Sequence, residues 1–151
     1  MNCDFIQESP EPNERGKYVY ECPNCGLRIG LREPNAVIAN QCGAKEAAPQ
    51  FGPGTELKGV FDELAIEDDG CGSCLILRLY MNRIGIDGCR RERQVLAGKL
   101  AAKAKKRGWG TKLTAAAGAV TSGLAFRINP LDPYGSLIDL AVERAAVSDS
   151  P

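Results

Sequence analysis

The sequence predicts an α+β protein in two parts: a small N-terminal β ribbon, then an all-α module of four to five short helices. Three observations carry that reading. Strand-forming residues alternate on both sides of a Cys-Pro-Asn-Cys-Gly turn at residues 22–26. From residue 55 onward, apolar residues recur at helical rather than alternating spacing. Between the two lies Pro49-Gln50-Phe51-Gly52-Pro53-Gly54, whose prolines and glycines interrupt regular structure. The expected organisation is therefore a ribbon at 1–48, a linker at 49–54 and a helical module at 55–151. A length of 151 residues suits one ordinary domain or two small ones.

In the front module, residues 8–16 form a polar, proline-broken loop. Lys17-Tyr18-Val19-Tyr20-Glu21 reads as a strand and Leu27-Arg28-Ile29-Gly30-Leu31 as its return, which puts Cys22 and Cys25 at a hairpin tip. Gly26 permits the positive φ that such a knuckle needs. Cys3 precedes the first strand and Cys42 follows the second, giving C-x18-C-x2-C-x16-C. The chain has no histidine, so a metal here is held by thiolates, with a carboxylate at most. Cys3, Cys22, Cys25 and Cys42 are thus the expected ligands of a zinc ion in a zinc-ribbon-like module. So short a segment cannot bury a large core, and the metal would supply much of its folding energy. The competing readings are a redox CxxC, which normally opens a helix rather than a strand, and incidental cysteines. Four thiolates leave no open position for water, which points to a structural rather than a catalytic metal.

In the helical module, Thr55 is the expected cap of a helix whose buried face is Leu57, Val60, Phe61, Leu64 and Ala65, ending at Asp68-Asp69-Gly70. Gly52-Pro53-Gly54 lacks the lysine-serine partner of a phosphate cradle and reads as the start of that helix. A short helix over Leu75–Arg83 is followed by a loop at 84–88. Cys71, Cys74 and Cys89 are spaced C-x2-C-x14-C and are a possible second metal or iron–sulfur site, with Asp69 or Asp87 as a fourth ligand. A helix of about nine residues spans about 13 Å and works against their meeting, so small cysteines filling a helical corner are the plain alternative.

Cys89–Arg107 reads as one long helix carrying eight cationic side chains against Glu92 alone. Arg90, Arg91, Lys99, Lys103, Lys105 and Lys106 are the candidates for nucleic-acid contact; a solvated charged face is the bland alternative. Trp109 either stacks on a base or closes the helix end against the core. Thr111 is the expected cap of a further helix to about Leu124, and Ser136 with Asp139 the capping pair of a last helix over Leu137–Val147.

Residues 1–69 carry six basic and thirteen acidic side chains, a net −7, and residues 70–151 the reverse, +7. The halves attract each other, or the basic half meets nucleic acid or an acidic protein surface. Met1-Asn2-Cys3-Asp4 lacks the basic start and apolar run of an export signal, and no segment reaches the roughly 18 apolar residues of a membrane span. The expected location is the reducing cytoplasm, where paired cysteines bind metal rather than form disulfides. The missing histidine, the missing nucleophile elbow and the absence of a paired-carboxylate motif argue against an enzyme. The expectation is a binding or adaptor protein. An iron–sulfur protein for electron transfer or redox sensing is the rival. No small-molecule substrate is evident.

Cys22-x2-Cys25-Gly26, Gly52-Pro53-Gly54-Thr55-Glu56-Leu57-Lys58 and Gly70-Cys71-Gly72-Ser73-Cys74, continued by Met81-Asn82, Gly85 and Gly88-Cys89, resemble motifs of a group of small cysteine-rich proteins of bacteria and their phages. Ser122–Phe126 and Asn129–Pro133 are similar to the tail of some of them. The resemblance covers most of the chain. It implies no catalytic residues, and it adds weight to Cys71, Cys74 and Cys89 acting together.

Overall fold

The computed structural model describes residues 2–42, 49–66, 72–109 and 127–148. It shows an α+β fold: a three-stranded antiparallel sheet at the N-terminus, followed among the described residues by four helices.

The sheet is ordered β1 (Ile6–Gln7), β2 (Tyr18–Glu21), β3 (Arg28–Leu31). Val19 opposes Gly30 and Tyr20 opposes Ile29, which is the expected hairpin. β1 is an addition that alternation alone does not reveal. It is two residues long and exists because Ile6 pairs with Glu21 and Gln7 with Tyr20. Tyr20 anchors the ribbon. It is buried, its hydroxyl lies 2.8 Å from Glu33 O and 2.9 Å from Gln7 Oε1, and it accepts a bond from the Ala36 N–H.

α1 spans Pro53–Glu63 and starts two residues before Thr55. Thr55 is not its cap: its hydroxyl donates to Gln50 O. The cap comes from a distant residue. Asn82 Oδ1 accepts from Gly54 N–H at 2.7 Å and Thr55 N–H at 3.1 Å, while its Nδ2 donates to Pro49 O. The helix also ends earlier than residues 68–70. Ala65 takes a left-handed φ of 52°, and bonds from Ile66 N to Phe61 O and from Ala65 N to Asp62 O close the last turn. Leu57, Val60, Phe61 and Leu64 are buried as expected; Ala65 is exposed, and Ile66 takes its place in the core.

α2 runs over Gly72–Arg91 rather than stopping at Arg83. Its one non-helical residue, Gly85, has φ 66° and ψ −171°, a conformation that only glycine adopts without strain. The expected loop at 84–88 is thus a kink. The expected single helix over Cys89–Arg107 is divided at Glu92, and α3 spans Arg93–Arg107. Glu92 Oε2 accepts a 2.6 Å bond from the Tyr80 hydroxyl, which holds that turn against α2 and pushes the Tyr80 phenol upward. Trp109 closes α3 against the core, edge-on to Phe61 at 5.4 Å, so it is buried rather than offered to a base. The helix expected after Thr111 lies outside the described residues.

α4 spans Pro133–Ser148, four residues longer at its start than expected. Ser136 sits inside it, bonded to Asp132 O and Asn129 N, and Asp139 pairs with Arg93; neither caps the helix. The cap is Asp132, whose Oδ1 accepts from Gly135 N–H at 3.0 Å, with Pro133 in the first helical position.

The core lies where α1, α2, α3 and α4 meet, around Leu57, Phe61, Met81, Leu96, Leu100 and Ile138. α1 and α2 cross at Gly54, where an added Cβ would stand 1.8 Å from the Arg78 carbonyl oxygen. Ion pairs fasten α4 from outside. Arg93 bridges Asp132 (2.7 Å) and Asp139 (2.8 Å), and Arg144 grips Glu63 with two bonds of 2.6 and 2.9 Å.

The Arg144 guanidinium holds the Glu63 carboxyl below its usual range. A folded pKa below the unfolded one contributes stability that is complete above about pH 4.5 and lost as pH falls through the folded value. Urea midpoints should therefore separate native protein from Glu63→Gln at pH 7 and draw together as pH falls below about 4.5. The gap should be small, since the pair is partly solvated.

Candidate metal centre

The ribbon brings Cys3, Cys22, Cys25 and Cys42 together, with all four sulfurs within 4.8 Å of one another. Two local devices do this. The first is the knuckle between β2 and β3. Gly26 N–H bonds Cys22 O at 2.8 Å, Cys22 N–H bonds Leu27 O at 3.0 Å, and Gly26 takes φ 74° as the turn requires. The second joins the two ends of the ribbon. Asn2 and Gln41 form an antiparallel bridge, and Cys3 N–H donates to Asn40 O at 2.8 Å, which sets Cys3 beside Cys42. The spacing of the outer cysteines hid this pairing because it depends on the ribbon being folded.

The sulfur geometry fits a tetrahedral thiolate site. Cys3 Sγ lies 3.7 Å from Cys25 Sγ, and Cys22 Sγ lies 3.8 Å from Cys42 Sγ. A tetrahedron with zinc–sulfur bonds of about 2.3 Å has edges of about 3.8 Å. A disulfide would need about 2.05 Å, and none joins these four cysteines. Cys3 and Cys22 are buried, Cys25 and Cys42 half-buried. Burial first, and then the crowding of Cys25, Cys22 and Cys42, push the Cys3 thiol well above its ordinary value. A cation among the four sulfurs would offset the repulsion between neighbouring thiolates.

One functional contact has no signal in the sequence. Arg83, on α2, donates from Nη1 to both carbonyls of the knuckle, Pro23 O at 2.9 Å and Asn24 O. Its guanidinium also lies 5.0 Å from the centre of the Tyr80 ring. Asn24 is itself buried, its Nδ2 3.3 Å from Asp4 Oδ2. The start of α2 meets the sheet as well. Ser73 N–H donates to Glu8 O at 3.2 Å, and a Cβ on Gly72 would fall 1.7 Å from Gln7 O. The Cys22–Cys25 knuckle and sheet are therefore joined to α2 by direct bonds.

Of the other cysteine group, Cys71 lies outside the described residues. Cys74 and Cys89 are both buried in the apolar core. Cys89 Sγ lies 3.6 Å from Met81 O, a carbonyl seven residues along α2 from Cys74, or about 10 Å by helical rise. Burial, with the nearby Glu92 charge, pushes the Cys89 thiol up to about 12, so it stays protonated at neutral pH and is a poor nucleophile. Native protein treated with a maleimide at pH 7.5 should leave Cys89 unlabelled in the peptide map, whereas protein in urea should label it fully.

The six basic candidates separate into groups. Arg90 is ion-paired with Asp87 at 3.5 Å, and Lys103 Nζ donates to Ser73 O at 2.7 Å. Arg91, Lys99, Lys105 and Lys106 are exposed, Lys99 with its ammonium 5.0 Å from the centre of the Tyr80 ring. Among the described residues, no helix is long and apolar enough to cross a membrane.

No protein family, no curated protein and no solved structure matches this chain.

Proposed function

We propose that the chain is a zinc-stabilised, non-enzymatic binding or adaptor protein of a reducing, cytoplasmic setting, related to the cysteine-rich bacterial and phage proteins that its motifs resemble. In this reading Cys3, Cys22, Cys25 and Cys42 hold one zinc ion, and the basic helical surface meets nucleic acid or protein. The observation that carries it is the pair of sulfur separations, 3.7 and 3.8 Å, which match the edge of a four-thiolate tetrahedron. Such a site has no vacant position for water or substrate. Its metal holds the two ends of the ribbon and the knuckle together, and Arg83 carries that order into α2.

Elemental analysis of protein purified without added metal tests this. One zinc per chain, reduced to none in Cys42→Ser, supports the reading. Iron with visible absorption, retained in Cys42→Ser, would support the rival iron–sulfur reading based on Cys71, Cys74 and Cys89.

A further inference from the structure

α3 and Arg91, the last residue of α2, present one continuous outward face. On a helix of 3.6 residues per turn, Arg91, Lys99, Lys105 and Lys106 fall within an arc of about 120°, and all four are exposed. The turn at Glu92 does not break the arc, because Glu92 N–H bonds Gly88 O and Leu96 N–H bonds Glu92 O, both at 2.9 Å. Between the cations lie Val95, Gly98 and Ala102, also exposed and all small. The arc carries no acidic residue. Among the described residues none of its four cations is in an ion pair.

We propose that this face binds the phosphate backbone of duplex DNA without sequence preference. The inference rests on the binding-protein reading above and names its partner. Charge selects an anion: four exposed cations outnumber the one carboxylate, Glu21, on which Lys99 acts, and spread along about 22 Å of helix they match a rigid array of phosphates rather than a single one. Composition argues against a protein partner, since interfaces are depleted in lysine and alanine and need large apolar or aromatic anchors. Single strands are disfavoured because the arc has no aromatic side chain on which bases could stack: Tyr80 is committed to Glu92 and Trp109 is buried. B-form DNA admits a helix in its major groove, whereas the A-form groove of duplex RNA does not. Gly98 and Ala102 let the helix axis approach closely. Gln94 is the one uncharged polar side chain among residues 91–106 that is exposed, too little to read a sequence.

The test is fluorescence anisotropy of a 25-base-pair DNA duplex with metal-loaded full-length protein, whose zinc content and circular dichroism are measured in the same samples. Four phosphate contacts predict a slope of about −3.6 in log affinity against log salt, hence roughly 150-fold weaker binding at 200 than at 50 mM. Two duplexes of unrelated sequence should bind equally. Lys105→Gln with Lys106→Gln should lower affinity at 50 mM salt at least tenfold and reduce the slope by about two, while Arg15→Gln, exposed in the loop before β2, should change affinity less than twofold. Absence of binding at 20 mM salt, equal effects of the two sets of variants, or tighter binding to single-stranded DNA, duplex RNA or polyglutamate would overturn the proposal. If the zinc and helix signals are intact in such an experiment, the metal reading survives the loss of the DNA inference.

Discussion

Chelation of the zinc-loaded protein is expected to unfold the ribbon and leave the helices folded. Within residues 2–42 the buried apolar side chains are Cys3, Tyr20, Cys22 and Pro23, so two of the four are themselves proposed ligands. A sheet of two-, four- and four-residue strands with that core has almost no hydrophobic drive of its own. Structural zinc contributes an apparent 10–16 kcal/mol at about neutral pH in small four-ligand modules, far more than the remaining ribbon contacts supply. The helical core around Phe61, Met81 and Leu100 contains none of the four ligands. Amide spectra recorded during chelation should therefore lose the dispersion of residues 2–42 while signals from α1, α3 and α4 persist, and Cys22→Ser should resemble the chelated protein. The start of α2 should loosen with the ribbon, because Arg83 would lose both knuckle carbonyls. A ribbon that keeps its sheet without metal would contradict the reading.

The second large effect is expected at Gly54. Its Cβ would meet Arg78 O at 1.8 Å and Arg78 C at 2.5 Å. These are backbone atoms of α2, so no side-chain rotation relieves the clash and the two helices must separate. Overpacking typically costs 1–3 kcal/mol; Gly54→Ala belongs at or above about 3 kcal/mol, a loss of about 10 °C in Tm for a chain of this size. The same movement would pull Gly54 N–H and Thr55 N–H away from Asn82 Oδ1. Gly98→Ala supplies the opposite sign. Gly98 is exposed within α3 and a Cβ there meets nothing within 4 Å, so the change should stabilise by about 0.5–1 kcal/mol through helix propensity. Thermal melts of the two variants beside native protein check both directions.

The elements that could be read from sequence are those set by neighbouring residues. Alternation around Cys22 and Cys25 places the hairpin, and the spacing of Leu57, Val60, Phe61 and Leu64 places the buried side of α1. The errors share a cause, which is that distant groups decide. α1 is capped by Asn82 rather than Thr55, because a buried amide from α2 reaches its first N–H groups. α4 begins at Pro133 because Asp132, not Ser136, satisfies its first turn. Glycine at 85 looked like the end of a helix, and it kinks one that continues to Arg91. Of the candidate metal centre, the four cysteines that meet were readable by residue type and number. The bridge between Asn2 and Gln41 and the grip of Arg83 on the knuckle were not, because each joins residues far apart in the chain.

The most direct test of the central claim is X-ray absorption at the zinc edge of protein as purified. The account predicts four sulfur neighbours at about 2.3 Å and no oxygen or nitrogen in the first shell. A shell with fewer than four sulfurs, or protein that folds its ribbon while binding no zinc, would contradict it.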